Sequence, residues 1–144
     1  MLRLASLAAA VAVCVTTTSA LDADVVRQRQ ELMRQVADVA RAPMAMLKDE
    51  RRFELAEVQA ALKWFEISAV RLKDMFPDGS DGGSTKSLPL IWQRKSDFMA
   101  RLDRMARDAR AAQQAIQDEQ SFKASYLKVL RNCVTCHRSY MDPP

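Results

Sequence analysis

The stretch "SFKASYLKVLRNCVTCHRSY" (Ser121–Tyr140) has the pattern of an amphipathic helix. Its apolar and cysteine side chains recur at alternating intervals of four and three residues: Phe122, Tyr126, Val129, Cys133, Cys136 and Tyr140. This spacing places all six on one face of a helix, the face that a globular protein turns toward its core. Both cysteines of the stretch are therefore predicted on the buried side of the last helix.

Three earlier segments show the same helical period. The clearest runs from Leu55 to Phe76, with apolar residues spaced three and four apart, and stops at Pro77. Another is predicted to begin at Val25, capped by Asp22 or Asp24, and to reach about Lys48 with a kink at Pro43. A third is predicted to start near Pro89 and to continue to Ile116.

These four segments predict an all-α fold, an antiparallel up-down-up-down four-helix bundle. No stretch alternates as a strand does. The segment between Pro77 and Pro89 holds all three glycines and fits no helical or strand period. It is predicted to be a long loop at the same end of the bundle as the last helix's C-terminus.

Length and composition indicate one helical domain. The chain has 144 residues, with 22 basic and 18 acidic side chains and a formal net charge of +4. The mild basic excess is spread along the chain, without a dense basic patch interleaved with aromatics. Nucleic-acid binding is therefore not expected.

The N-terminal residues 1–20 are predicted to be a secretory signal peptide. Arg3 precedes a short apolar run, and small residues end at Ala20, where cleavage is expected. The apolar run is too short to span a bilayer, so no membrane anchor is expected after cleavage. Cys14 follows Val13 and not a small residue, which argues against lipid attachment. The mature domain is predicted to cover residues 21–144.

The motif Cys133-x-x-Cys136-His137 holds two of the three cysteines and the only histidine of the chain. Residues three and four apart share a helical face, so two thiols and an imidazole point the same way. Two thioether bonds and one axial iron ligand need this arrangement, and the motif predicts one covalently attached haem c. A structural zinc site is not expected, because it needs four ligands and the predicted mature domain offers only three of the usual soft type. A disulfide between the two cysteines would close only a very short loop and would stabilise the fold little.

The second axial ligand of the iron is not decided by these patterns. The chain has no other histidine, and seven methionines remain besides Met1. In the predicted bundle, helix rise places Met33, Met75 and Met99 at the height of His137, and Met44, Met46 and Met105 roughly 20–30 Å away. Met141 follows His137 by one turn and shares its side. An apolar side chain that leaves the iron open is the other alternative.

The chain resembles the cytochrome c′ family, the class II cytochromes c, over about residues 23–141. The resemblance is carried by "RQELM" (Arg29–Met33), "MFPDGSDGG" (Met75–Gly83), "IW" (Ile91–Trp92) and "CVTCHRSY" (Cys133–Tyr140). It implies an exported bacterial four-helix bundle with Cys133 and Cys136 attached to haem and His137 as proximal iron ligand. It also implies that Arg29 lies near the haem propionates and that Met33 lies over the iron as distal ligand, as in the low-spin branch.

The predicted function is that of a periplasmic electron carrier, not an enzyme, with redox proteins as partners. The alternative is a five-coordinate cytochrome c′ that binds nitric oxide or carbon monoxide at an open iron. The resemblance also allows a homodimer formed through the first two helices.

Overall fold

The computed structural model describes residues 14–82 and 84–142, with side chains from Ala23 onward. It contains five α-helices: α1 (Cys14–Leu47), α2 (Leu55–Leu72), α3 (Leu90–Gln93), α4 (Lys95–Ala115) and α5 (Glu119–Tyr140). A 3-10 turn, Lys73–Met75, extends α2. No named strand occurs in these two ranges, where a single bridge joins Ser87 to Met141. The all-α prediction is confirmed.

Helix α1 begins further upstream than the sequence predicted. It continues unbroken from Cys14, and Asp24 lies inside it, bonded to Arg27 and Gln28 one turn later. A carboxylate three or four residues before a donor stabilises a helix interior as well as a cap, so Asp24 does not mark the start of the helix. Pro43 lies within the helix and is buried. Residues 1–13 of the predicted signal peptide lie outside the described ranges.

The third predicted helix is divided in two. Pro89 does precede a helix, but α3 lasts four residues and α4 starts after Arg94, whose φ of −123° and ψ of 43° are not helical. The apolar seam runs through both pieces, with Ile91 and Phe98 buried, so periodicity alone did not reveal the break.

Helix α5 begins at Glu119, directly after the capping residue Asp118. The Asp118 carboxylate accepts a hydrogen bond from the backbone N–H of Ser121, and the Ser121 hydroxyl accepts one from the backbone N–H of Asp118. This reciprocal capping box satisfies two backbone donors that a helix start leaves without partners.

Cross-helix contacts show that neighbouring helices run antiparallel. Residues 59, 66 and 73 of the second helix and its extension bond to residues 113, 110 and 103 of α4 in turn. Residues 97, 101 and 108 of α4 likewise bond to residues 140, 135 and 132 of α5. The bundle is therefore α1, α2, α4 and α5 in up-down-up-down order.

One edge of this bundle is open. Close backbone contacts join α1 to α2, α2 to α4 and α4 to α5, whereas along the described residues α1 and α5 approach each other closely at few points. The buried core forms two clusters: one surrounds Phe65, Phe122 and Tyr126, and the other surrounds Phe76, Phe98 and Tyr140.

A polar clamp joins α2 to α4. The Glu66 carboxylate, 7% exposed, accepts hydrogen bonds from the Arg110 guanidinium, from Lys63 and from Gln113. Arg110, followed by Lys63 and Gln113, lowers the pKa of Glu66 to about 2 from its usual 4.5. Arg101 instead donates to Asp97 and to a backbone carbonyl of α5. The arginines of α4 therefore bind different neighbours and do not form one solvent-exposed basic surface.

The Glu66→Gln variant is expected to be less stable than the parent chain at neutral pH. Because the folded-state pKa of Glu66 is depressed, its contribution is complete above pH 4.5 and is lost as the pH falls toward 2. Urea unfolding between pH 7 and pH 2.5 should show the stability difference shrinking in that window. Glu57→Gln, which removes the exposed partner of Arg51, is the control. A difference that stays constant with pH would contradict the assignment.

Helices long and apolar enough to cross a membrane are absent from the part of the chain that the structure describes.

Candidate haem site

A cavity of about 650 Å³ lies where α1 and α5 separate. Side chains of α1 and α5 form its walls, α2 and α4 contribute Phe65, Ala69, Phe98 and Leu102, and residues 85–87 of the long loop lie at its rim. Most of the lining is apolar. The cavity thus fills the place where the two outer helices of the bundle would otherwise pack together.

The three residues of the predicted haem motif all line this cavity. Cys133, Cys136 and His137 are half-buried, and both thiols are free. Burial raises the pKa of each thiol, so both sulfurs are held as neutral thiols. Burial also lowers the pKa of His137, which favours the neutral imidazole that binds metals.

Met33 lies on the opposite wall, on α1, and also lines the cavity. The helix rise placed three methionines level with His137. Two of them, Met75 and Met99, are not part of the lining, although both pack on the adjoining core. Met44 and Met105 do line the cavity, which the helix heights did not predict. The cavity extends along the bundle axis, so distance from His137 along a helix does not exclude a residue from its walls.

Arg29 lines the cavity one turn before Met33 and is 4% exposed. Its guanidinium donates to the carbonyl oxygens of Met75 and Ser80 and to the Ser80 hydroxyl. It also lies 4.2 Å from the centre of the Phe76 ring. Arg29 therefore holds the start of the long loop against α1, and its predicted place near the haem propionates stays a prediction.

The far end of the long loop is tied to the end of α5. The backbone N–H of Leu88 donates to the Tyr140 carbonyl at 3.0 Å, and that of Asp142 donates to the Lys86 carbonyl at 2.8 Å. Gln30 of α1 donates to the carbonyl of Ser84 at 2.9 Å. The loop thus lies at the end of the bundle that the sequence predicted, and it borders the cavity.

A hydrogen-bond cluster fixes α5 beside the motif. The Tyr140 hydroxyl donates to Asp97 of α4, and Arg101 donates to Asp97 at 2.8 Å and to the Thr135 carbonyl at 3.2 Å. These contacts hold the turn that carries Cys136 and His137 against α4. Sequence patterns could not find this cluster, because aspartate and arginine on a helix surface are usually solvated.

The chemistry of the lining fits a haem. Its described residues include an axial-ligand candidate on each wall, two thiols one turn apart, three cationic residues and no carboxylate. Ser68 of α2 also lines the cavity, is 2% exposed, and its hydroxyl has no hydrogen-bond partner. A buried hydroxyl without a partner is costly, so this polar atom indicates an occupant that can bond to it.

Comparison with known families agrees with this geometry. Residues 24–141 match the family described as Cytochrome C′. The chain belongs to the cytochrome c′ family. The resemblance drawn from the sequence is confirmed, and with it a cofactor of one covalently attached haem c per chain.

Individual relatives bear both names used within the family. The chain is 38% identical to a cytochrome c′ of Rhodopseudomonas palustris over 118 residues, 81% of each chain. It is 32% identical to a cytochrome c-556 of Agrobacterium fabrum over 128 residues, 88% of this chain and 87% of the relative. The solved structure of cytochrome c′ from Rhodopseudomonas palustris superimposes with a TM-score of 0.81 at 37% identity, covering 83% of this chain and 97% of that one. The four-helix bundle is thereby confirmed.

In the haem-loaded protein, Ser68→Ala is expected to lower the free energy of unfolding by about 1 kcal/mol, because the hydrogen bond between the Ser68 hydroxyl and the occupant of the cavity would be lost. Alanine favours helix more than serine, so propensity acts in the opposite direction. Tyr126→Phe is the matched control, since the Tyr126 hydroxyl is also buried without a partner but does not line the cavity. Urea unfolding of both variants is the measurement; equal effects would show that Ser68 has no partner there.

Proposed function

We propose that this cytochrome carries single electrons through a haem c whose iron is ligated by His137 and Met33. Cys133 and Cys136 attach the haem through thioether bonds, and no substrate is turned over. The observation that carries the proposal is the placement of Met33 and His137 on the two facing walls of one cavity. When bound, the haem supplies an iron that cycles between Fe(III) and Fe(II).

The side chains of the chain suit that task. The neutral imidazole of His137 is a ready iron ligand, and the Met33 thioether is a soft ligand that favours Fe(II). With both axial positions filled by side chains from packed helices, few atoms need to move when the charge changes. The largely apolar walls give the site a low polarity, which also favours the less charged Fe(II) state.

The relatives named cytochrome c-556 support this proposal, since the methionine-ligated branch fits them. The cytochrome c′ relative at 38% identity represents the alternative, in which the iron is open and binds nitric oxide or carbon monoxide. A methionine side chain is flexible enough to pack beside the iron without binding it. The two functions differ in one bond, from the Met33 sulfur to the iron.

The setting of the protein is part of the proposal. Export to the bacterial periplasm, with cleavage after Ala20 and a mature domain of residues 21–144, is consistent with the family. Its partners would be other redox proteins. A homodimer through α1 and α2 is also part of the proposal and is consistent with the family.

The visible absorption spectrum of the purified protein, oxidised and reduced, tests the iron ligation. Sharp, separate α and β bands on reduction and no response to carbon monoxide are expected, because a filled sixth position leaves no site for the gas. Met33→Ala should abolish both features, whereas Met99→Ala, which alters a methionine outside the lining, should preserve them. A single broad band that shifts with carbon monoxide in the parent protein would contradict the proposal and would favour gas binding as the function.

A further inference from the structure

The cavity is lined by three cationic residues, Arg29, Lys86 and Arg101, and by no carboxylate among the described residues. A haem carries two propionate carboxylates, which are costly to bring against a protein surface without a compensating charge. The three cations differ in whether they already form ion pairs or hydrogen bonds within the chain, and this difference separates their roles.

Two of the three already have partners. The Arg29 guanidinium is buried and donates to Met75 and Ser80 of the loop. Arg101 forms an ion pair with Asp97 at 2.8 Å and a hydrogen bond to the Thr135 carbonyl. Their positive charges therefore hold the protein's own elements together.

Lys86 is the third cation, and its ammonium makes no ion pair or hydrogen bond with any described residue. Its backbone, in contrast, is firmly placed: the carbonyl accepts from Asp142, and the next residue, Ser87, bridges to Met141. A fixed backbone at the cavity rim with an unused charge at the end of a long side chain suits recognition of an anionic group at that rim.

We propose that Lys86 binds a propionate carboxylate of the haem at the rim of the cavity. The partner is a carboxylate fixed at the open edge, and the contact is a charge-assisted hydrogen bond from the lysine ammonium. The proposal depends on the haem's presence and not on the identity of its sixth ligand.

The reduction potential of the haem-loaded protein provides the first test. Removing a positive charge near the haem stabilises Fe(III), so Lys86→Gln should lower the potential. We expect at least a threefold change in the one-electron equilibrium constant, roughly 30 mV at 59 mV per tenfold change. Lys86→Arg keeps the charge and should restore the parent value. Lys48→Gln removes an equal charge from an exposed lysine at the other end of α1 and should leave the potential unchanged.

Amine labelling of the parent protein provides the second test, and it needs no variant. An ammonium bound to a carboxylate is acylated slowly, so Lys86 should react several-fold more slowly with an N-hydroxysuccinimide ester than Lys48, as read by peptide mass spectrometry. Equal labelling rates, or equal potentials for Lys86→Gln and Lys48→Gln, would overturn the proposal. An open iron in the absorption spectrum would overturn the ligation by Met33 and leave the Lys86 result standing.

Discussion

The separation of α1 from α5 is the constraint on which the rest of this structure depends. A four-helix bundle normally buries the apolar face of each helix against two neighbours. Here α1 and α5 turn apolar side chains toward each other across a cavity, with Met33 on one wall and Cys133 on the other. With the proposed attachment through Cys133 and Cys136, the haem that would fill this space could not diffuse away. The cofactor therefore acts as part of the core and not as a ligand added to a finished fold.

An open edge requires that the remaining contacts be strong enough to hold the helices in place. The Glu66 clamp joins α2 to α4, and the cluster around Asp97 joins α4 to α5. Arg29 joins α1 to the loop that follows α2. Each of these polar contacts lies beside the cavity or on the face opposite the open edge. The helices that carry the two axial-ligand candidates are thus positioned by neighbours other than each other.

Much of the fold could be read from apolar periodicity, because a helix that packs on a core must repeat its apolar residues every three or four positions. The seams of α2 and α5 follow directly from that rule. The break at Arg94 could not be read in this way. A single non-helical residue shifts a helix without interrupting the sequence of buried side chains.

The sequence likewise predicted some residues of the candidate site and not others. The residues of the haem motif were predictable because their chemistry depends on spacing within one helix. The other residues at the site were not, since Ser68 and Lys86 at the cavity and Asp97 beside it have no unusual sequence context. The prediction from helix rise that Met44 and Met105 lie far from the site was incomplete for a related reason. Helix rise measures distance along the bundle axis, whereas a cavity that runs along that axis is lined by distant turns.

Under the proposed ligation, the same geometry would let one methionine separate two functions on this fold. A cavity between two helices that scarcely touch can accept an iron ligand from α1 without moving α2, α4 or α5, because those three are held by their own contacts. A leucine or a methionine at residue 33 would leave the walls almost unchanged, since the two side chains are similar in volume. Under that ligation the fold would permit both an open and a filled iron, and the choice between them would lie in the chemistry of the side chain at residue 33.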